Sequence, residues 1–505
     1  MPTGAPGVPI VLTADRTLIA DYDVLLDGMM ASSQTTTTPR PVVDRLLMRR
    51  AGSEGARAAV GPLGLRRIEA ALLRDGFSPE EVYLVDDAHL AQVVGPETKV
   101  IAVSSGEPLG LGMSSSTMAG VAGGRIYPEV MFRRLMAQVR RLVAQRAPGA
   151  RVVLGGPGAW QLAAAPAARR ELGIDHVVLG YAEANVAAVF ASLVDGRPLP
   201  AVIRGEGPAA EAIPPLRGAS SMGVVEISRG CGLGCRFCTI GPVPMEHLPP
   251  ETILADAEVN IAAGQSSISA LSEDLFRYGG SGVDCRPRAL IDLLLALRGL
   301  PGLRLLQADH ANVFSIAAYS DAELAEVYRL MVGEAQDAAP WVNVGVETAS
   351  GELLKANGGA AKMVDIPPSR WGAVAAEQLE RLSAVGFIPM ASLVIGLPGE
   401  TPEDVCRTLE WVRSLHQSRL TIFPVIFAPI RGDEPAGRGA LTKLHWRLIR
   451  ECYELNFRWM PVIYRGNQTA AGVSQRRRRL FQMLGKGQVL LWRTLLTAHR
   501  WRAPG

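Results

Sequence analysis

The sequence predicts an α/β protein in three parts. These are an N-terminal doubly wound, Rossmann-like domain over residues 1–205, a partial (β/α)6 barrel of the TIM type over 218–430, and a small, mainly helical C-terminal domain over 431–505. Three observations carry this expectation. Short strand signals alternate with amphipathic helix signals through most of the chain, the mark of parallel sheets with crossover helices. An aperiodic stretch rich in Gly and Pro, 201–218, reads as a linker between two blocks of that alternation. Beyond Pro429 the alternation stops and only helical periodicity remains. At 505 residues the chain is too long for one ordinary core, so two or three domains are expected.

Residues 8–13 read as a buried strand, because a short run rich in β-branched residues is flanked by turn formers. The polar stretch 31–39 reads as loop. Over 61–76, apolar Leu65, Ile68, Leu72 and Leu73 share one face and Gly76 closes the helix. Strands follow at 81–85, 99–104, 151–154 and 176–179, with helices near 128–146, 160–172 and 183–194. Ligands of such sheets sit beyond the carboxyl ends of the strands. The loops there, 104–108 with 112–117, 155–158 and 180–183, combine small residues with backbone donors or hydroxyls, which suits a flat or phosphate-bearing ligand. No G-x-G-x-x-G follows the first strand, so a nicotinamide dinucleotide is a poor fit.

The second block opens with the strand-like run 222–227. A helix starts at Pro250, with Ile253, Leu254 and Val259 expected to face inward. Strand and helix pairs follow: 267–271 with 287–299, 303–307 with 320–333, 342–346 with 370–385, and 390–395 with 402–415. A sixth strand, 420–427, closes the series. Active sites of such barrels lie at the carboxyl ends of the strands. Those ends carry Ser272-Glu273-Asp274, Asp309-His310-Ala311-Asn312, the segment from Glu347 to Ser350, and the segment from Gly396 to Thr401. Asp309 and His310 are the candidate catalytic pair for substrate or proton work. Thr401 to Asp404 also reads as a helix-capping box.

Between the first strand of this block and its helix lie Cys231, Cys235 and Cys238, at C-x3-C-x2-C, with glycines that let the chain fold tightly around a bound object. Thiolates suit soft metals, and three of them on a four-iron cluster leave one iron open. A zinc knuckle would want a fourth Cys or His close by, and the nearest histidine is His247, beyond a Gly-Pro-Val-Pro segment. Three buried structural cysteines are the other plain reading. With the aromatic Phe237 just before the third cysteine, the motif resembles the signature of the radical S-adenosylmethionine (SAM) superfamily. That resemblance implies a 4Fe-4S cluster on the three cysteines whose free iron takes the amino and carboxyl groups of SAM. It also implies SAM contacts from Phe237, Ser272, Glu273, Glu347, Ser350, Gly396 and Glu400.

Over residues 8–200 the Pro-Leu-Gly-Leu helix, the Gly-Gly-Pro after one strand and the Gly-x-x-Glu after the next are similar to the cobalamin-binding domain that precedes the radical core in a large subgroup. The similarity implies cobalamin contacts from Ser104, Ser105, Glu107, Ser114, Ser115, Gly155, Gly156 and Gly180, with both cofactors facing one cavity. The subgroup's Asp-x-His-x-x-Gly after the first strand is absent, and Asp87-Ala88-His89 carries half of it after the second. A domain that binds no cofactor stays open. The implied activity is methylation of an unactivated carbon through a 5′-deoxyadenosyl radical and methylcobalamin. The alternatives are a cobalamin-independent radical SAM oxidoreductase or cyclase/rearrangement enzyme, and a non-enzymatic iron–sulfur electron-transfer or regulatory protein. Implied partners are a small-molecule or lipid-like substrate and an electron donor such as flavodoxin or ferredoxin.

Composition sets the outer bounds. Six cysteines, three of them clustered, fit a reducing compartment, and the N-terminus lacks the pattern of a secretory signal, so a cytoplasmic protein is expected. From Arg431 onward 15 Lys/Arg face 4 Asp/Glu, against a net charge of only +3 for the whole chain. This basic, Trp-containing end suits a peripheral contact with an anionic membrane, and no nucleic-acid reader fold accompanies it.

Overall fold

The computed structural model describes residues 6–335, 337–429 and 441–502. Residues 431–440 and 503–505 of the expected C-terminal domain lie outside the described residues. The chain forms two compact units. The first takes residues 1–119, 123–224 and 251–265, and the second takes 120–122, 225–250 and 266–505.

The first unit holds a six-stranded parallel sheet of β1 (Ile10–Ala14), β2 (Val82–Val85), β3 (Val100–Ser104), β4 (Arg151–Gly155), β5 (His176–Leu179) and β6 (Val202–Arg204), in the order β2-β1-β3-β4-β5-β6. Alternate residues of each strand enter two separate cores. Val11, Ile101 and Val103 pack with Phe132, Leu135 and Val139 on one face. On the other, Ile10, Leu12 and Val100 pack with Leu65, Leu72 and Phe190. Burial on both faces is why these strands read as continuous apolar runs.

Three sequence expectations need correction here. β6 lies inside the stretch read as linker and extends the sheet. Ala31 to Ser33 end a helix, Leu25–Ser33, whose Leu26 and Ala31 are buried, so tertiary packing overrides their loop-like composition. The loop expected at 112–117 is mostly the start of the helix Met113–Ala122, whose serines hid a helical signal.

The helix Pro250–Ala262 lies in sequence between two barrel strands, yet its residues from Glu251 onward belong to the first unit. Its buried face is Thr252, Ile253, Asp256, Ala257 and Asn260, while Leu254 and Val259 are only half-buried. Of the expected apolar stripe only Ile253 is buried, because the face also presents Asp256 and Asn260 to polar partners. Asp256 and Arg67 form a fully buried, two-pronged ion pair. Arg67 also donates to the Pro214 carbonyl at 2.8 Å, and Asp256 accepts from the Leu216 amide at 2.8 Å. Asn260 accepts from the Ser220 amide at 2.8 Å.

The second unit holds β7 (Val224–Glu226), β8 (Ser267–Leu271), β9 (Leu305–Ala308), β10 (His310–Asn312), β11 (Trp341–Glu347), β12 (Ile388–Ile395) and β13 (Thr421–Ile426). They run β7-β8-β9 and β10-β11-β12-β13. The third expected strand, 303–307, is β9 and pairs in parallel with β8, and the stretch read as its carboxyl end forms a further short strand, β10, that pairs with β11. Crossover helices Pro287–Arg298, Asp321–Val332, Trp371–Val385 and Pro402–Ser414 complete the partial barrel. Two 28-residue helices follow, α1 (Lys443–Ala470) and α2 (Gln475–Arg502), and both lie in the same unit as the barrel.

Removing one partner of a buried pair leaves an uncompensated charge. Asp256→Ala should lower stability by about 3–5 kcal/mol, and an Arg67→Met/Asp256→Leu double variant should recover most of it. Urea denaturation followed by far-UV circular dichroism checks both.

Candidate active site

The cysteine loop hangs from the carboxyl end of β7. Its backbone folds on itself: the Cys231 amide donates to the Val243 carbonyl at 2.8 Å and the Gly234 amide to Gly241 at 2.9 Å. Gly230 adopts φ +74°, and a Cβ there would collide with the Pro244 carbonyl, so the residue before the first cysteine has to be glycine. The Arg236 amide donates to the Asn357 carbonyl at 3.0 Å, and the Asn357 side chain donates to Leu353 and Pro398, which docks the loop on the segment after β11. Arg277, itself buried, donates to the Cys231 carbonyl at 2.8 Å.

All three thiols are substantially buried, and burial pushes each up, Cys235 to about 11. The charges of Lys362 and Arg277 pull Cys231 the other way, and Lys362 does so for Cys235. Thiols in such a place become good ligands only when a cation takes their charge, which a cluster of iron does. Among the described residues no three His, Cys, Asp or Glu side chains converge as a single-ion site requires. A cube differs in asking each thiolate for a separate iron. The donor chemistry and the glycine-lined curl of this loop thus fit a 4Fe-4S cluster.

Glu273, Asp309, His310 and Glu347 gather within electrostatic reach of one another and of the cysteines. Burial raises Glu273, and His310 opposes that. His310 Nδ1 lies 3.2 Å from the Asp309 carboxylate. Burial presses the imidazole pKa down, but Asp309, Glu273 and Glu347 outweigh it and raise it to about 9. Glu347 ends β11 with φ +65°, a rare conformation for a non-glycine residue, at a shift in the β11–β12 register. Its carboxylate pairs with the buried Lys362 of the short helix Ala360–Met363. A Cβ on Gly345 would lie 2.6 Å from Glu347 Oε1 and would also strike the Lys362 ammonium.

Other expected site residues have their polar atoms engaged elsewhere. Ser272 Oγ accepts from the Asp274 amide at 3.1 Å. Asp274 is fully buried, raised to about 6 by burial, and accepts from Asn312 at 2.9 Å and Ser315 at 2.7 Å, so it ties β8 to β10. Ser350 caps the helix Gly351–Ala356. Glu400 accepts from the Gly396 amide at 2.8 Å and lies 3.0 Å from His445 Nε2. Phe237 is buried. Sequence reasoning missed Lys362, Arg277 and His445; a lone lysine among Gly, Ala, Met and Val was the one available hint for Lys362.

In the first unit, Ser104 ends β3 and Ser105 follows it, both buried, and Gly155 ends β4. Ser105 Oγ is buried without a partner among the described residues. Gly156 takes φ +90°, and a Cβ there would lie 2.5 Å from Ser104 Oγ and 2.9 Å from the Ser105 carbonyl. Gly156 thus lets the turn after β4 pack closely on Ser104 and Ser105, while nothing lies within 4 Å of where a Gly155 Cβ would sit; this bare backbone beside an orphan hydroxyl fits a flat ligand bearing amides, such as a corrin. Gly180 follows β5 with φ +88° and is exposed. Glu107 is spent on the Gly112 amide at 3.1 Å and Gln161 at 2.8 Å. Ser115 is buried in the first turn of Met113–Ala122 and Ser114 is exposed. His89 Nδ1 is 2.6 Å from Asp86.

A parallel half-barrel that carries a three-thiol loop and a carboxylate and histidine set at its strand ends belongs to a class of α/β catalytic modules. Residues 225–412 match the family model for the radical SAM superfamily, so the chain carries a radical SAM domain. Curated relatives include the ribosomal protein uS12 methylthiotransferase RimO of Frankia casuarinae, 28% identical over 289 residues, 52% of this chain and 51% of the relative. The same enzyme of Leptospira biflexa is 24% identical over 246 residues, 45% and 48% of the two chains. The chain thus spans about half the length of these curated relatives. Among solved structures, the radical SAM methyltransferase TsrM of Kitasatospora setae with cobalamin and 4Fe-4S cluster bound shares the fold. Its TM-score is 0.54 at 15% identity, over 84% of this chain and 77% of that one. TsrM with tryptophan substrate and a SAM analogue gives 0.53 over 84% and 75%.

The raised His310 pKa fixes a sign. The imidazolium's contribution to stability is complete below its ordinary value of about 6.5 and is lost as pH rises through about 9. Nitrogen NMR of the imidazole should show that late titration, and Asp309→Asn should move it down by at least one unit, about tenfold in proton affinity.

Proposed function

We propose that the chain is a cobalamin-dependent radical SAM enzyme that methylates an unactivated carbon of a small-molecule or lipid-like substrate. What supports this most is one arrangement. Three thiols of a single glycine-curled loop share their electrostatic surroundings with Glu273, Glu347, Lys362 and the Asp309–His310 pair. When bound, cluster and SAM supply a 5′-deoxyadenosyl radical for hydrogen abstraction, and cobalamin supplies the methyl group.

In this reading Cys231, Cys235 and Cys238 hold the cluster, and burial keeps water from it. Glu273 receives the methionine ammonium of SAM, and Glu347, pinned by Lys362, receives its ribose diol. Phe237 packs beside the third cysteine, while Ser272, Ser350, Gly396 and Glu400 shape the SAM pocket through the backbone bonds described above. Asp309 and His310 act at the substrate, with His310 a proton donor at neutral pH. Ser104, Ser105, Gly155, Gly156 and Gly180 line the cobalamin cradle, and Glu107, Ser114 and Ser115 brace its rim. A one-electron donor such as flavodoxin or ferredoxin reduces the cluster, in keeping with work in a reducing compartment such as the cytoplasm.

A second reading, radical SAM chemistry without cobalamin, is favoured by the absence of the Asp-x-His-x-x-Gly segment after the first strand. A visible spectrum of anaerobically reconstituted protein with hydroxocobalamin separates the two. Wild type should retain about one corrinoid and four irons per chain. Gly156→Ala should lose at least tenfold in cobalamin affinity with its iron unchanged, since the added Cβ meets Ser104 and Ser105. Cys235→Ala should lose the cluster iron. Wild type without a corrinoid band supports the second reading, and iron retained in Cys235→Ala overturns both.

A further inference from the structure

The outer face of α2 is built unlike an ordinary solvated helix. Residues seven apart fall nearly in line along a helix. One such row is Arg476, Met483 and Leu490. The row beside it is Arg479, Lys486 and Arg493. Met483 is 65% exposed, Leu490 66% and Leu491 47%, and all four outer cations of these rows are exposed as well. The opposite face carries Phe481, Trp492 and Leu496, all buried, and this is the side that packs. Trp492 lies 5.0 Å from the Tyr453 ring of α1.

α2 therefore spends its largest apolar groups twice, once inward as packing and once outward among unneutralised charge. Arg493 meets Glu454 of α1 at 3.0 Å. Arg476, Arg479 and Lys486 pair with no carboxylate among the described residues. A purely solvated basic face has no use for an exposed methionine and two leucines, and a site for nucleic-acid phosphates uses cations and polar groups. Cations flanking a narrow apolar row match a lipid surface, where the apolar chains enter the acyl boundary and the cations meet anionic headgroups.

We propose that the outward face of α2 is a docking surface for an anionic lipid bilayer, on which the helix lies in the plane of the interface. Arg476, Arg479 and Lys486 supply the headgroup contacts, and Met483, Leu490 and Leu491 supply the insertion. The surface needs neither cluster nor cobalamin, so it stands or falls apart from the proposed chemistry.

Flotation of the full chain with phosphatidylglycerol-containing vesicles tests it, with phosphatidylcholine vesicles as the neutral arm. The protein should float with the anionic vesicles, be released by salt, and stay behind with the neutral ones. Arg479→Gln and Lys486→Gln should each weaken partitioning about fivefold. Met483→Ser with Leu490→Ser, which leaves every charge in place, should weaken it about tenfold or more. These side chains point to solvent, so circular dichroism and iron content should match wild type in every variant. The proposal is overturned if wild type does not float with anionic vesicles. It is also overturned if the serine pair floats equally well while a short RNA duplex releases the protein, which would make the face a polyanion site.

Discussion

The buried ion pair between Lys362 and Glu347 is the contact on which the candidate site depends. Glu273, Asp309 and Glu347 bring carboxylates beside the three cysteine thiols in one region of low dielectric, where an unbalanced charge costs several kcal/mol. Lys362, Arg277 and His310 are the cations that offset it. Glu347 carries a further cost of about 1–3 kcal/mol for its left-handed backbone. That conformation turns the carboxylate away from the strand direction and onto Lys362, and it coincides with the break in register between β11 and β12. Gly345, two residues earlier on the same face, has no Cβ and so leaves the room both groups fill.

The same economy of space governs the cysteine loop. A chain can present three side chains to one object only if the residues between them turn back sharply. The amide bonds from Cys231 to Val243 and from Gly234 to Gly241 close that turn from both ends. Asn357 then couples the loop to the segment that carries Lys362. Its backbone takes the Arg236 amide while its side chain bridges Leu353 and Pro398. Ligand loop, charge-balancing lysine and the Gly396–Glu400 turn are thus joined by short polar contacts.

Legibility in the sequence followed periodicity. The strands from Ile10 to Ile426 and the long crossover helices were readable because each buries one coherent apolar set, and the cysteine motif was readable because spacing alone defines it. What failed has a common physical form. The buried face of Pro250–Ala262 is polar, held by Arg67 and Ser220, and no hydropathy pattern marks a face that is buried by hydrogen bonds. Ser272, Ser350 and Glu400 were read by position at the strand ends, and the backbone bonds they make there were not legible. The mirror error is Lys362: an isolated charge in an aperiodic stretch gave no sign that Glu347, fifteen positions earlier, would bury it. The short strand His310–Asn312 was equally hidden, since it lies in what read as the end of Leu305–Ala308 and takes a different partner.

A partial barrel ends on an open edge, and the C-terminal helices answer that problem rather than forming a body of their own. β13 pairs with β12 on one side only. On the other side Asn456 of α1 donates to the Ile422 carbonyl at 2.7 Å and accepts the Ile422 amide at 2.8 Å, imitating a strand neighbour with one carboxamide. This satisfies the edge at Ile422 and hinders its pairing with another chain there. Asn467, eleven residues on, accepts the Ala339 amide at 3.2 Å just before β11. At the other end His445 reaches Glu400, whose carboxylate holds the Gly396 amide after β12. α1 is therefore fixed to the barrel at both ends and in its middle, in two of these places by backbone groups that water would otherwise have to satisfy. A helix so anchored on its inner face can carry α2 as a second layer, and that is what frees the outer face of α2 for a different surface.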